Sequence, residues 1–243
     1  MHSPYIKEQP NARQAVLMIH GICGSPRRFD WLIPHFDDSW SIYNILLDGH
    51  GSDPKAFAQT SMKKWKAQVH ETLQDLSKRY DRILLMGYSM GTLLAIEALP
   101  CYPKIYALML FNVPLRPHVR LKMIPRSLRL SRGSPNLDDP HEAINAKETG
   151  IALTPGILPY IRWIPRFWEL LRLSSYCRKH TQDIHIPCNV YLGKEDELVS
   201  MQSKKYLRDL PTVTLRIFET AGHYYIAPED QQTILHDLQS HMA

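Results

Sequence analysis

The chain has 243 residues, 44% of them hydrophobic and 22% charged, with a formal net charge of +5. That suits one large globular domain, with room for an inserted subdomain, and excludes repeat and low-complexity architectures. No run of about 18 apolar residues occurs, so no membrane-spanning helix is expected, and the polar stretch Met1 to Gln14 lacks the apolar core of a secretory signal.

Ala15-Val16-Leu17-Met18-Ile19 is a continuous apolar run, the pattern of a strand buried on both faces. It ends in His20-Gly21. Ser25 then stands where it could cap a helix over Arg27 to Phe36, with Pro26 at the first position. Ser41 to Leu47 reads as the next strand and runs into the loop Asp48-Gly49-His50-Gly51-Ser52. Ser61 to Tyr80 reads as a long amphipathic helix, with Trp65, Val69, Leu73 and Leu76 at helical spacing.

A strand over Arg82 to Met86 leads into Gly87-Tyr88-Ser89-Met90-Gly91, and Thr92 to Leu99 is a run of helix formers. A G-x-S-x-G between strand and helix has the form of a nucleophile elbow. The turn is so sharp that the residues two before and two after the Ser nearly touch, which requires glycine at both. The serine is left strained at a helix N-terminus, where the dipole and free N–H groups favour negative charge. Further strands are expected over Ile105 to Val113, Cys188 to Leu192 and Val213 to Phe218. Helices are expected over Ser200 to Leu210 and Pro228 to Met242. This alternation gives an α/β fold, a mainly parallel sheet of about six to seven strands with helices on both faces. Right-handed crossovers collect the strand C-termini on one edge, where a site must lie. The four cysteines (Cys23, Cys101, Cys177, Cys188) show no metal-ligand or C-x-x-C spacing, and read as reduced thiols of a cytoplasmic protein.

Taken together, His20-Gly21, Asp48-Gly49-His50-Gly51, the Ser89 elbow, Gly193-Lys194-Glu195-Asp196-Glu197-Leu198-Val199 and Ala221-Gly222-His223 resemble the α/β-hydrolase superfamily. Within it the chain looks most like small carboxylesterases and monoacylglycerol lipases. The resemblance implies an α/β-hydrolase fold and a triad in the order Ser, acid, His. Ser89 would be the nucleophile and His223, in a Gly-His loop after the last strand, its base. Three acids compete in the 194–197 run, and the family's G-x-x-D spacing selects Asp196, leaving Glu195 and Glu197 as solvated flanks. The oxyanion hole would be the backbone N–H groups of Met90 and Ile22. Cys23, beside Ile22, reads as a small buried hydrophobe. No metal or cofactor is implied.

Residues 116–182 read neither as sheet nor as crossover, and the superfamily places its helical cap there. The core would then be residues 1–115 and 183–243. The insert holds seven prolines, so its helices should be short and broken. It carries 12 Lys/Arg against five Asp/Glu, so the whole positive excess is local to it. Aromatic residues interleave with the charges, as in Trp163, Arg166, Phe167 and Trp168. Two readings stand: amphipathic helices that merely cover the site, or an apolar tunnel with a basic mouth, for acyl substrates with an acidic head or for weak contact with an anionic lipid surface. Nucleic-acid binding is not expected, since no recognised module is present. The function expected is a serine hydrolase acting on small-molecule, acyl or lipid-like esters. A thioesterase, a C–C bond hydrolase or lyase, and a ligand-binding protein on a hydrolase scaffold are the alternatives. Oligomeric state is not legible.

Overall fold

The computed structural model describes residues 2–121, 123–153 and 158–242. Lys122 and Pro155, counted above among the insert's basic residues and prolines, lie outside them. A seven-stranded sheet runs β1-β3-β2-β4-β5-β6-β7. Its strands are β1 (Tyr5–Lys7), β2 (Gln14–Ile19), β3 (Trp40–Ile45), β4 (Arg82–Tyr88), β5 (Ile105–Phe111), β6 (Cys188–Gly193) and β7 (Val213–Phe218). All neighbours pair parallel except β1 with β3. The mainly parallel sheet expected from the continuous apolar runs is therefore present. β1 was not legible: it is three residues long, two of them exposed, and shows neither a run nor an alternation.

Both faces of the sheet are covered, which the residues of β2 illustrate. Ala15, Leu17 and Ile19 pack with Trp65, Val69 and Leu73 of α2 (Met62–Arg79) and with Leu93 and Leu94 of α3 (Met90–Ala98). Val16 and Met18 point the other way, to Phe29, Leu32 and Ile234 and Leu238 of α8 (Pro228–Met242). Such burial contributes roughly 1.5–3 kcal/mol per large apolar side chain before entropy is charged against it.

Local chemistry and contacts distant in sequence together account for the differences from expectation. The helix expected over Arg27 to Phe36 is two 3₁₀ turns, Pro26–Phe29 and Ile33–His35. Pro34 lacks the N–H needed to continue a first turn. Ser25 stands at the cap position, but its hydroxyl donates to Glu148 O at 2.9 Å. Tertiary contact has taken the cap. The helix expected over Ser200 to Leu210 is a 3₁₀ turn, Met201–Tyr206. There Ser203 Oγ accepts the Arg116 N–H at 2.9 Å and ties the turn to the exit of β5. A short helix α1 (Pro54–Gln59) was missed although its signal was printed: Asp53 accepts the Ala56 N–H at 2.8 Å and Pro54 follows the cap.

Between β5 and β6 lie α4 (Met123–Ser131), α5 (Pro140–Glu148), α6 (Leu158–Ile161) and α7 (Ile164–His180). α7 has 17 residues and is not broken, because Pro165 falls in its first turn, where a missing N–H costs nothing. Its buried face (Leu170, Leu173, Ser174, Cys177) packs on α3, so this segment is continuous with the main core. Arg166 does not stand at a mouth: it donates to the carbonyls of Thr60 and Ala58 and pairs with Glu169. Trp168 is 61% exposed and faces away from the cavity described below. Among the described residues, no helix is long and apolar enough to cross a membrane.

Candidate active site

The elbow is built as its glycines require. Ser89 has φ 49° and ψ −119°, between the end of β4 and the first residue of α3. A Cβ on Gly91 would stand 2.0 Å from the Ile19 carbonyl oxygen, so no other residue fits where α3 crosses the end of β2. The same approach brings the loop after β2 against the serine: a Cβ on Gly21 would lie 3.0 Å from Ser89 Cβ. Ile22 follows and lines the same cavity as Ser89. Met90, the first residue of α3, is one of the helix-start residues whose N–H has no intrahelical acceptor. Of the two residues expected from sequence to supply backbone donors, Met90 directly follows the serine and Ile22 lines the cavity that the serine opens on.

The loops after β6 and β7 supply the other side. His223 Nδ1 lies 2.9 Å from Asp196 Oδ2 and 3.0 Å from Oδ1. Asp196 Oδ1 accepts the N–H groups of Leu198 and Val199, both at 2.7 Å. The carboxylate is thus fixed by its own loop before it meets the imidazole. Asp196 and His223 are 2% and 3% exposed, in the low-dielectric setting where such a bond is strongest. Ser89 and His223 both line one cavity of about 740 Å³. The cavity also takes Met123, Leu128, Leu130, Leu153 and Phe167 from the region between β5 and β6. Its lining also has a polar part, with Arg28 paired to Glu148 at 2.6 Å and its guanidinium 4.1 Å from the Tyr88 ring centroid.

Two functional-looking residues escaped the sequence reading. Glu197, read as solvated, is fully buried and accepts the His223 N–H at 2.9 Å. Asn112, at φ 52° directly after β5, donates to the carbonyls of Gly222 and His223. Neither has a motif of its own, because each acts through backbone groups brought near by folding. Glu195 behaves as expected, paired with Arg120 on the surface. Cys23 is half-buried rather than buried and faces the cavity, and desolvation pushes its thiol up to about 12, which favours the protonated thiol.

The family model for the Alpha/beta hydrolase family matches residues 16–234. The chain belongs to the α/β-hydrolase family. It is similar to the thermostable monoacylglycerol lipase of Bacillus sp. (strain H-257), 23% identical over 226 residues, spanning 90% of this chain and 86% of that one. Among solved structures it is similar to one from work on two metagenome-derived lipolytic enzymes, LipS and LipT. That likeness has a TM-score of 0.74 at 21% identity, over 98% of this chain and 96% of the other. A soluble variant of monoglyceride lipase from Saccharomyces cerevisiae gives a TM-score of 0.70 at 15% identity, over 98% and 89%. At these identities the structural likeness speaks to fold alone.

The family's two histidine loops are structural in this hydrolase fold. His20 Nε2 accepts the Leu47 N–H at 3.1 Å, and its Nδ1 lies 2.8 Å from Gly21 O. His50 Nε2 accepts the Cys23 N–H at 3.1 Å, and its Nδ1 lies 3.2 Å from Leu47 O. Each ring must be neutral to accept through Nε2. Burial holds His50 down to about 4, and burial and the neighbouring His50 hold His20 well below its ordinary value. The folded pKa of His50 is thus depressed. Its contribution to stability is full above about pH 6.5 and is lost as pH falls toward 4, where the unfolded chain binds the proton. His50 alone should remove about 3 kcal/mol between pH 7 and pH 4. Urea unfolding at several pH values should give a shallower pH slope for His50→Gln than for the wild type. Coincident slopes would show that His50 is not held neutral.

Proposed function

We propose that the protein is a serine hydrolase that cleaves carboxylic esters of apolar acyl chains through Ser89, His223 and Asp196. The observation that carries this is the buried Asp196–His223 bond opening on the cavity that holds the elbow serine. In this reading Ser89 Oγ attacks the ester carbonyl and His223 Nε2 takes its proton. The Met90 and Ile22 N–H groups hold the developing oxyanion, each donor contributing about 3 kcal/mol. Asp196 keeps Nδ1 protonated and stabilises the imidazolium. His223 then gives the proton to the leaving alcohol, and the acyl chain remains on Ser89. Water, deprotonated by His223, releases the acid and restores the serine. The scheme uses no metal or cofactor.

Residues 116–182 serve as the lid in this reading, over a core of 1–115 and 183–243. The apolar lining from α4 and α7 supports an acyl-binding role. Ile161, Ile164, Trp168 and Leu171, all exposed beside Arg162 and Arg172, support weak contact with an anionic lipid surface. The unpaired cysteines support a reducing, cytoplasmic setting.

An ester chain-length series tests the substrate class. kcat/KM should rise from acetate over several carbons, by up to about 0.8 kcal/mol per buried CH₂, then level when the cavity is full. Phe167→Ala should flatten the rise while leaving acetate esters little changed. Equal turnover of acetate and octanoate would mean that the lid is only a cover. An acyl-CoA thioester in the same assay separates the thioesterase alternative.

A further inference from the structure

A loop residue can aim its ring only if its backbone is held. His223 sits in the irregular loop between β7 and α8, and its peptide is clasped from two sides. Asn112 Nδ2 donates to His223 O at 3.2 Å, and Glu197 Oε2 accepts the His223 N–H at 2.9 Å. Glu197 adjoins Asp196 in sequence, so one short loop grips His223 twice, at the ring and at the backbone.

Glu197 is also a fully buried charge, which is costly unless paired. Its partner comes from α4: Arg126 Nη1 bonds Glu197 Oε1, and the other arm of the guanidinium, Nη2, donates to Asp139 Oδ2 at 2.7 Å. Asp139 in turn caps α5 through the His141 N–H at 3.0 Å. His141 Nδ1 lies 3.7 Å from Glu197 Oε1. A continuous chain of polar contacts therefore runs from the start of α5, through α4, to the backbone of His223. Losing Arg126 would remove a charge-assisted partner from a fully buried carboxylate.

We propose that Glu197 is a positioning residue for His223, and that Arg126 makes its hold depend on the seating of α4 and α5 over the site. Binding in the cavity that α4 lines and the aim of the base are thereby coupled. The inference rests on the reading of His223 as the base.

The test compares Glu197→Gln, Glu197→Leu and Arg126→Met, using p-nitrophenyl acetate and a fluorophosphonate label to count active sites. Acetate is chosen because it leaves the apolar cavity largely empty. Glu197→Leu, with no acceptor for the His223 N–H, should lose roughly 100-fold in kcat per labelled site, the scale of a misplaced catalytic group. Glu197→Gln keeps an acceptor and loses only the charge, so it should lose roughly 10-fold and thus partly rescue. Arg126→Met should match Glu197→Gln, and the double variant should be no worse than either single one. KM should stay within about twofold throughout, since none of these side chains lines the cavity. Should Glu197→Leu fail to fold, the other two variants decide.

A purely structural role would lower melting temperature and the number of labelled sites while leaving turnover per site alone. That result, or turnover per site within twofold of wild type in all three variants, overturns the proposal. If Ser89→Ala also turns over the ester normally, it is the triad reading that falls instead.

Discussion

Ser89→Ala should abolish ester turnover, lowering kcat by about 10⁴-fold or more, with the fold intact. The hydroxyl is what the substitution removes, while the backbone turn at φ 49° is set by Gly91 against Ile19 and by the Ser89 N–H donating to Phe111 O at 2.8 Å. Those constraints remain in the alanine variant, so far-UV circular dichroism and melting temperature should stay near wild type. The oxyanion donors and the cavity remain too, and should leave a residual rate above the uncatalysed one. Fluorophosphonate labelling should vanish together with turnover. A folded Ser89→Ala protein that still hydrolyses p-nitrophenyl esters near the normal rate would sink the assignment, and with it the acyl-enzyme.

The second large effect is expected at Asp196, and the geometry dictates its sign. Oδ1 accepts two backbone N–H groups, from Leu198 and Val199, and lies 3.0 Å from His223 Nδ1, while Oδ2, at 2.9 Å, has the imidazole as its partner. In Asp196→Asn the amide must keep its oxygen toward the two N–H donors, since turning NH₂ toward them would set donor against donor. The NH₂ is then left facing His223. The imidazole must accept there through Nδ1, which moves its proton to Nε2, the nitrogen that should receive the proton of Ser89. The base is thus held in the wrong tautomer, at a cost of about 10⁴-fold in kcat. KM for a short ester should change little. The packing is isosteric, so melting temperature should move by only a few degrees on the scale of a lost charge-assisted bond. Glu195→Gln should be nearly silent, since Glu195 pairs with Arg120 at the surface. If Glu195→Gln is severe and Asp196→Asn mild, the wrong carboxylate has been chosen.

What the sequence alone determined was local chemistry that tertiary structure could not override. The G-x-S-x-G between an apolar run and a helix-forming run admits one geometry, because the sharp turn brings residues 87 and 91 together, and a Cβ on Gly87 would stand 2.7 Å from the Gly91 carbonyl. Continuous apolar strands allow little besides a sheet covered on both faces, and that is what β2 shows. The long helix α2 declared itself by four buried residues at helical spacing, Trp65, Val69, Leu73 and Leu76. The resemblance of the 193–199 and 221–223 loops to the α/β-hydrolase pattern pointed to Asp196 and His223, which the fold brings within a hydrogen bond.

Tertiary structure decided whatever depended on a partner distant in sequence. Ser25 has the chemistry of a cap, yet its hydroxyl is taken by Glu148, 123 residues away. Trp168 and Phe167 adjoin in sequence and are both exposed, yet the phase of α7 sets only Phe167 against the cavity. Arg126 reads as one basic residue among many, and Glu197 as one acid of a run that usually meets water. Folding buries Glu197 completely and half-buries Arg126 against it, with the backbone of His223 held between loop and insert. Pattern reports which residues a segment buries. It does not report what stands on the far side of the buried face.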